Sequence, residues 1–339
     1  EDLTAHGIYG YYGDEREYKS SICWWLRKRH NWNIEASWVF TLNGLVNGTA
    51  VCIDAFTNPG DGVVLFSPIY HAFFRVLEAA NRNIIECPLI KEDDRYIMDF
   101  DFYDKMMTGR EKMLILSSPH NPGGRVWTKT ELIEIGEFAS RHNLIIVSDE
   151  IHQDLVYPDK KHIAFPVATD SVMDRLIVMN ATTKTFNLAG CHTGNVIIPD
   201  FKLRATFQKR ITALGLSPNS FGLCMAQAAY SQEGAAWVDS LVQYLNQNRK
   251  IFDQAIKKIP GLNSMPLEAT YLAWVDFSGT NLSSENILER VEGRAKIAAN
   301  YGVTFGKGGD KHLRFNFATP KPNLKVAVER LKEAFSDLQ

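Results

Sequence analysis

The order of apolar and amphipathic segments constrains the fold of this chain more than any other feature. Short runs of strand-forming residues alternate with longer segments of helical spacing, which is typical of parallel sheets built from β–α–β units. The runs are almost continuously apolar, so we expect both faces of the sheet to be covered. The predicted strands are residues 63–66, 84–86, 113–116, 144–147, 176–179 and 195–198. The predicted helices between them are residues 69–80, 128–142 and 202–214.

The last third of the chain follows a different pattern, which predicts a smaller α+β domain. A single long helix is predicted over residues 235–259. It is followed by short strands at 271–276 and 313–317 and by helices at 284–299 and 322–337. A chain of 339 residues is also long for one hydrophobic core.

We therefore predict two domains in an α/β protein. The large domain is expected over residues 36–245, and the small domain is expected to combine residues 1–35 with residues 246–339. In this division the opening helix, residues 15–30, packs with the small domain.

Composition excludes several classes of function. The formal net charge is −2 and there is no run rich in lysine and arginine, so nucleic acid is not an expected partner. The five cysteines are scattered without a C-x-x-C pair, which argues against a disulfide framework or a structural zinc site. No apolar stretch has transmembrane length, so we expect no membrane partner and a cytoplasmic protein. The sequence begins at Glu1 rather than methionine, which leaves room for a preceding segment.

Three polar segments follow three of the predicted strands. Ser-Pro-His-Asn-Pro-Gly-Gly (118–124), Ser-Asp-Glu-Ile-His (148–152) and Ala-Thr-Thr-Lys-Thr-Phe-Asn (181–187) come after the strands that end at residues 116, 147 and 179. Ligands of open α/β sheets bind beyond the carboxyl ends of the strands, where such loops converge. We expect one pocket to hold all three segments.

The side chains in these segments match the needs of pyridoxal phosphate. Lys184 offers an amine for the cofactor aldehyde, Asp149 a carboxylate for the ring nitrogen, and Asn121 a neutral donor for the phenolic oxygen. Each segment alone has a simpler reading, because Asn-Pro-Gly-Gly is a good turn and an Asp after a strand is often a helix cap. The combination favours a cofactor site.

Further motifs make the resemblance to a family specific. Along essentially its whole length the chain resembles the class I/II aminotransferase-like pyridoxal phosphate enzymes of fold type I, closest to carbon–sulfur lyases of the cystathionine β-lyase type. This resemblance implies a mostly parallel seven-stranded sheet in the large domain and a homodimer with shared active sites. The motifs that carry it are residues 6–11, 67–74, 121–127, 148–154, 183–190 and 313–320.

The resemblance also implies roles for individual residues around the cofactor ring. Lys184 would hold the cofactor and remove the substrate Cα proton, and Asp149 would pair with the ring nitrogen. Asn121 and His152 would hydrogen-bond the phenolic oxygen. Tyr70 would stack on the ring.

Other matched positions concern the phosphate and the substrate. The backbone N–H groups of Gly44, Leu45 and Val46 would bind the cofactor phosphate at a helix N-terminus. Arg314 would bind the substrate α-carboxylate, a bidentate task that suits arginine. Tyr11 would reach into the active site of the partner subunit.

Two positions depart from the pattern of many aminotransferases. Ala181 stands where a serine is common, three residues before the lysine, and His192 stands where an arginine is common, eight residues after it. We expect the hydroxyl of Thr183, or less favourably Thr182, and a hydrogen bond from His192 to complete phosphate binding. The missing arginine favours the lyase subgroup, which often lacks it.

Three functions remain open on this evidence. The preferred one is β-elimination from an L-amino acid with sulfur on Cβ, which gives pyruvate, ammonia and a thiol. The second is transamination, because the same groups serve both reactions. The third is a regulatory protein that binds the cofactor without turnover, although Lys184, Asp149 and Arg314 are all present.

Overall fold

The computed structural model describes Ala5, Gly7, Gly10 and residues 13–338. Its strands are β1 (Val39–Leu42), β2 (Gly62–Ser67), β3 (Asn83–Pro88), β4 (Ile90–Glu92), β5 (Arg95–Ile97), β6 (Glu111–Ser117), β7 (Ile145–Asp149), β8 (Leu176–Asn180), β9 (Gly194–Ile197), β10 (Asn263–Ser264), β11 (Leu272–Asp276), β12 (Asn300–Tyr301) and β13 (His312–Asn316). Its α-helices are α1 (Arg16–His30), α2 (Leu45–Phe56), α3 (His71–Ala79), α4 (Phe100–Met106), α5 (Lys129–Arg141), α6 (Phe165–Ala168), α7 (Thr182–Thr185), α8 (Phe201–Leu214), α9 (Ser220–Ala229), α10 (Gln232–Ile256), α11 (Ser284–Leu288) and α12 (Lys321–Ala334).

Seven strands form the central sheet in the order β1-β9-β8-β7-β6-β2-β3. The pairs from β8 through β3 are parallel, whereas β9 is antiparallel to both of its neighbours. This confirms the predicted mostly parallel sheet. In its register Asp149 lies opposite Ser117 on one side and Met179 on the other, so β6, β7 and β8 end at the same level.

Both faces of the sheet are buried, as the continuous apolar runs predict. Successive residues of a strand point to opposite faces. In β2, Val63 and Leu65 belong to one core cluster with residues of α2, α3 and α8. Val64 and Phe66 belong to the other cluster, with residues of α1, α5 and α9. Because both faces of such a strand are buried, its sequence does not alternate between polar and apolar residues.

A second, antiparallel sheet has the order β10-β11-β13-β12. Helix α12 and the second half of α10 cover it, with Phe252, Ile256 and Leu331 buried against Ala273 and Phe315. The predicted α+β part is therefore present. Its helix predicted over residues 284–299 is shorter in the structure, because α11 passes into a π-helical turn at Glu289–Arg294 and Lys296 adopts a left-handed φ of 55°.

The opening helix α1 packs differently from the prediction. Tyr18, Ile22 and Trp25 are fully buried in the core cluster of the large sheet. The Trp25 indole donates to Asp154 Oδ1 at 3.0 Å, on the segment after β7. The expectation that this helix packs with the small domain is therefore wrong, because its apolar face matches the large sheet. The domain limits themselves stay a prediction. Within the described part of the chain, no helix has the length and apolar character needed to cross a membrane.

Candidate active site

A cavity of about 390 Å³ lies beyond the carboxyl ends of β6, β7 and β8. The predicted site residues within the described part of the chain line it, except Thr182, the less favoured of the two threonines. Tyr11 lies outside the described residues. The predicted residues in its lining are Gly44, Leu45, Val46, Tyr70, Asn121, Asp149, His152, Thr183, Lys184, His192 and Arg314.

Backbone hydrogen bonds hold the three polar segments together where the strands end. Ser118 N donates to Asp149 O at 2.9 Å, and Glu150 N donates to Met179 O at 2.8 Å. These bonds extend the sheet ladder by one residue into the loops. The single-turn helix α7 then places Lys184 beside the end of β7.

Two of the acidic residues after β7 are bound to the protein scaffold. Glu150 is fully buried and accepts hydrogen bonds from His162 Nε2 at 2.9 Å and Phe165 N at 3.0 Å. Asp154 lies 2.8 Å from His30 Nε2 and also accepts from the Trp25 indole. Buried carboxylates need such partners.

Asp149 differs from them because it faces the cavity without a cation. Its Oδ1 accepts the Ile151 N–H at 3.1 Å, and among the described residues no basic side chain lies within ion-pair distance of it. Burial raises the pKa of Asp149 to about 7, while the hydrogen bond from Ile151 and the charge of Lys184 act in the opposite direction. A cationic ligand group at this position would stabilise the buried carboxylate and lower its pKa.

Lys184 is half-buried at the cavity wall, and within the described part of the chain its amine makes no hydrogen bond or ion pair. Burial lowers the pKa of this lysine, Asp149 raises it and Arg314 lowers it further. A lowered pKa increases the fraction of unprotonated, nucleophilic amine at neutral pH.

The turn at Asn121 depends on the two glycines that follow Pro122. A Cβ on Gly124, whose φ is 68°, would lie 2.2 Å from Leu267 Cδ2. A Cβ on Gly123 would lie 2.8 Å from His120 Nδ1. The two glycines therefore allow the turn to pack closely against Leu267 and on itself. This packing holds the buried Asn121 side chain at the cavity.

Arg314 comes from β13, in the second sheet. Its Nη1 donates to Asn121 Oδ1 and its Nη2 to Asn300 Oδ1, both at 2.7 Å. The guanidinium also lies 4.8 Å from the centre of the Phe305 ring.

The charge of Arg314 is not neutralised within the described part of the chain. Asn121 and Asn300 are uncharged, Nε is buried without a partner, and no carboxylate forms an ion pair with the guanidinium. Burial lowers the pKa of Arg314 to about 10, so the group stays charged at neutral pH. A buried cation held only by amides is well suited to bind a carboxylate ligand.

Aromatic side chains form the remaining inner wall. His152 is buried, its pKa is lowered to about 3 by burial, and its Nδ1 has no hydrogen-bond partner in the described part of the chain. Its ring lies edge-on to Tyr271 at 5.9 Å. Tyr70 is half-buried at the start of α3 and packs edge-on against Phe73. A neutral imidazole with an unused polar nitrogen can hydrogen-bond a ligand here.

The loop before α2 is shaped for close approach of a ligand to its backbone. Gly44 has φ 96° and is the N-cap residue of α2, whose first N–H groups lack helical partners. A Cβ on Gly194 of β9 would lie 2.6 Å from Leu45 Cδ2, so a glycine is required where β9 passes this loop. Thr183 lines the cavity nearby, whereas Thr182 is buried and is not among its described lining residues. His192 is exposed at the mouth.

Comparison with known proteins identifies the family of this chain. The family model described as "Aminotransferase class I and II" matches residues 3–331. The chain belongs to the class I and II aminotransferase family. Among its relatives, the cystathionine β-lyase PatB of Bacillus subtilis (strain 168) is 34% identical over 339 residues, which are 99% of this chain and 87% of PatB.

Solved structures of two relatives share the fold of this aminotransferase-family chain. Cystalysin from Treponema denticola, which contains pyridoxal 5′-phosphate, matches with a TM-score of 0.95 and 33% identity over 100% of this chain and 86% of cystalysin. A pyridoxal phosphate-bound putative aminotransferase from Clostridium difficile 630 matches with a TM-score of 0.94 and 36% identity over 98% of this chain and 87% of its own. The family thus includes both lyases and aminotransferases.

Sequence reasoning missed several residues of this aminotransferase-family site. Leu272 begins β11 and Tyr271 directly precedes it, and Asn316 pairs with Leu272 across the sheet. The available signal was the possible pairing of the predicted strands 271–276 and 313–317, because it places Tyr271 and Arg314 on neighbouring strands. The additional lining residues are Asn43, Ser117, Ile151, Ala189, Tyr271, Leu272 and Asn316.

Proposed function

We propose that this chain is a pyridoxal phosphate-dependent carbon–sulfur lyase. Its substrate would be an L-amino acid with a sulfur substituent on Cβ, such as cystathionine. The observation that carries the proposal is the placement of three uncompensated groups in one cavity: the carboxyl of Asp149, the amine of Lys184 and the guanidinium of Arg314. Each lacks an ion-pair partner among the described residues, and each matches a group of the cofactor or of an amino acid.

The described residues fit the cofactor. Asp149 offers its buried carboxyl to a protonated ring nitrogen, and Lys184 offers its amine to the aldehyde. The unpartnered Nδ1 of His152 and the Asn121 amide can bind the phenolic oxygen. The phosphate would be held by the N–H groups after Gly44 and by the Thr183 hydroxyl, with His192 at the mouth.

Pyridoxal phosphate supplies, when bound, an electron-accepting ring that stabilises negative charge at the substrate Cα. The protein residues divide the remaining tasks. Arg314 binds the α-carboxylate and thereby orients the Cα–H bond toward Lys184. The Lys184 amine accepts that proton, which its lowered pKa favours. Asp149, as a carboxylate, keeps the proton on the ring nitrogen.

The lyase and aminotransferase outcomes diverge after this proton transfer. In the lyase reaction the Cβ–S bond breaks, the thiolate leaves with the bonding electrons, and hydrolysis gives pyruvate and ammonia. Transamination would instead leave the Cβ substituent in place, transfer the amino group to the cofactor and release a keto acid. The 34% identity to PatB favours the lyase. So does His192, which stands where many aminotransferases have an arginine.

The decisive experiment supplies substrates of both classes to the holoenzyme. With L-cystathionine alone, we expect pyruvate, ammonia and thiol in equal amounts. The comparison reaction contains L-amino acids and 2-oxoglutarate. Glutamate formed only in the presence of 2-oxoglutarate, with no pyruvate from cystathionine, would instead identify an aminotransferase.

A homodimer with shared active sites is part of the proposal. The mouth of the cavity carries exposed residues, among them Asn43, Ala189, His192 and Asn316, that a second subunit could cover. The proposed contribution of Tyr11 to the partner site is tested by mixing Tyr11→Phe and Lys184→Ala subunits. Recovery of activity in the mixture would support shared sites.

A cytoplasmic location remains part of the same proposal.

Replacing Arg314 with alanine is expected to raise KM for the amino acid roughly 100-fold, because two hydrogen bonds to an ionised carboxylate are lost. Arg314→Lys is the matched control for charge, and it should recover only part of the loss since lysine lacks the bidentate geometry. The measurement is steady-state kinetics of the holoenzyme. An unchanged KM in Arg314→Ala would remove this residue from the substrate site.

Asn300 is expected to position Arg314 for this task. Asn300→Ala should raise KM about five- to tenfold with little change in kcat, because one hydrogen bond to Nη2 is lost. Asn300→Asp should raise KM further, since its carboxylate would pair with Arg314 and compete with the substrate. If both variants raise KM equally, a carboxylate at position 300 does not compete with the substrate for Arg314, and the proposed role of Asn300 is wrong.

A further inference from the structure

A buried aromatic side chain, Phe305, contacts Arg314 from outside the active-site cavity. It ends a turn of 3₁₀ helix (Gly302–Phe305) in the loop between β12 and β13, and its side chain is fully buried. The guanidinium carbon of Arg314 lies over its ring, 4.8 Å from the ring centre. Phe305 is not among the lining residues of the cavity. A ligand in the cavity would therefore contact Arg314 rather than the ring behind it.

The face of this ring suits a cation that has no ion-pair partner among the described residues. Aromatic rings attract guanidinium groups through their quadrupole, and the attraction is larger where water is excluded. Here both Phe305 and Arg314 are buried. An aromatic face carries no net charge, so it stabilises the cation without neutralising it. A carboxylate in the same place would instead compete with the carboxylate of a ligand.

The loop that carries Phe305 is tied to the first sheet. Phe305 O accepts a hydrogen bond from Ile69 N at 2.8 Å, and Ile69 directly precedes Tyr70 in the cavity wall. Gly306 has φ 87°, and a Cβ on it would lie 2.4 Å from Glu86 Oε2, so a glycine is required where the loop passes β3. The position of the ring is therefore fixed relative to the cavity.

The other rings around Phe305 place no second cation against it. The rings of Trp274 and His71 pack edge-on against Phe305, at centroid distances of 5.2 and 5.3 Å. Burial and the charge of Arg314 lower the pKa of His71, so its imidazole is neutral at neutral pH. His71 therefore does not compete with Arg314 for the electrons of the ring.

Core packing alone would also explain a buried phenylalanine at this position. Phe305 belongs to the core cluster of the large sheet, and burial of an aromatic ring stabilises a fold without any further role. Packing depends on the shape of the ring, whereas attraction to a cation depends on its charge distribution. The two explanations therefore predict different results when fluorine withdraws electrons from a ring of nearly unchanged shape.

We propose that Phe305 is a positioning residue for amino-acid binding. Its ring face holds the charged guanidinium of Arg314 in place, so that the remaining N–H groups of Arg314 meet the α-carboxylate of the ligand. The inference rests on the proposed function only in the role of Arg314, because substrates of lyases and of aminotransferases both carry an α-carboxylate.

Equilibrium titration of the holoenzyme tests the proposal without turnover. The ligand is 2-methylalanine, an amino acid that has no Cα proton to lose, and the visible absorbance of the cofactor reports its binding. Isopropylamine, the same molecule without the carboxylate, is the matched control ligand. Phe305 is replaced in separate proteins by mono-, tri- and pentafluorophenylalanine, which weaken the attraction of the ring for a cation step by step.

The dissociation constant of 2-methylalanine is expected to rise with each step of fluorination, by about tenfold in total. The Kd of isopropylamine should stay unchanged, because this ligand has no carboxylate for Arg314 to bind. Phe305→Leu, which is apolar but has no ring, should raise the Kd of 2-methylalanine by a similar factor.

Phe315 provides the matched control position. It follows Arg314 directly on β13 and is buried on the opposite face of the second sheet, where its ring contacts Phe252 and Phe277. Pentafluorophenylalanine at position 315 should leave both Kd values unchanged. In an Arg314→Ala background, fluorination at Phe305 should have no further effect on the Kd of 2-methylalanine, because the cation is gone.

Three results would overturn the proposal and leave the proposed function intact. They are an unchanged Kd of 2-methylalanine after fluorination at Phe305, an equal rise of Kd for both ligands, and the same rise after fluorination at Phe315. Failure of the proposed function gives a different result. The wild-type protein would then show no saturable response to 2-methylalanine, and the role of Phe305 would be wrong as well.

Discussion

Replacing Lys184 with alanine is expected to abolish the visible absorbance of lysine-bound cofactor and to lower turnover roughly 10⁴-fold or more. The variant loses both the amine that holds the cofactor aldehyde and the base that accepts the Cα proton. The Lys184 amine lies in the cavity near Asp149 and makes no hydrogen bond or ion pair among the described residues. Absorbance and kinetics on the purified variant measure the two losses separately.

A chemical measurement identifies the lysine independently of turnover. Borohydride reduction of the wild-type holoenzyme should fix the cofactor on the peptide that contains Lys184, as seen by mass spectrometry. Lys209→Ala is the control and should still fix the cofactor on the Lys184 peptide. Lys209 is exposed on α8 and is not among the lining residues of the cavity. Cofactor fixed on another lysine, or full activity in Lys184→Ala, would show that the site is assigned to the wrong residue.

Replacing Asp149 with asparagine is expected to lower kcat by roughly 10³-fold. The ring nitrogen would then lack the carboxylate that keeps it protonated, so negative charge at Cα would be poorly stabilised. Asparagine has nearly the same shape, which separates the loss of charge from a loss of packing. The Asp149→Glu variant restores the charge with an extra methylene and should recover part of the activity. Equal kcat values for Asp149→Asn and the wild type would refute the role.

The same variant has an opposite effect on the stability of the cofactor-free protein. Burial raises the pKa of Asp149 from 3.8 to about 7, so the folded state holds this proton more tightly than the unfolded state. The contribution of this group to stability is present below pH 4 and is lost as the pH rises through about 7.

We therefore expect cofactor-free Asp149→Asn to gain stability relative to the wild type as the pH rises from 4 to 8. The gain in the free energy of unfolding should reach a few kcal/mol, as measured by urea unfolding at pH 4 and at pH 8. The holoenzymes should not show this gain, because the ring nitrogen supplies the missing cation. A difference between the cofactor-free proteins that does not change with pH would contradict the raised pKa.

The site was predictable from sequence where its residues follow predicted strands directly. Asn121, Asp149 and Lys184 come within a few residues of the ends of β6, β7 and β8, and parallel strands end at one edge of a sheet. The same reasoning could not reach Asn300 or Tyr271. Asn300 lies in β12 and Tyr271 directly precedes β11. The contact of Asn300 with Arg314 and the place of Tyr271 in the cavity wall depend on how the second sheet packs against the rest of the protein.

The opening helix illustrates the same limit. Its apolar residues were visible in the sequence, but an amphipathic helix has no local feature that specifies which apolar surface covers it. The buried bond between Trp25 and Asp154 joins residues 129 positions apart. Packing on the large sheet was therefore decided by tertiary contacts.

The amino-acid sequence by itself determined the α/β class, the parallel sheet and the three polar segments at its edge, because strand periodicity and chain order are local properties. The tertiary structure alone decided which groups remain without partners. Arg314 and Asn121 are 193 positions apart, and only folding places their side chains 2.7 Å from each other, with no ion pair to the arginine among the described residues. No local sequence pattern reveals such a contact, because burial and the choice of partner are properties of the packed structure.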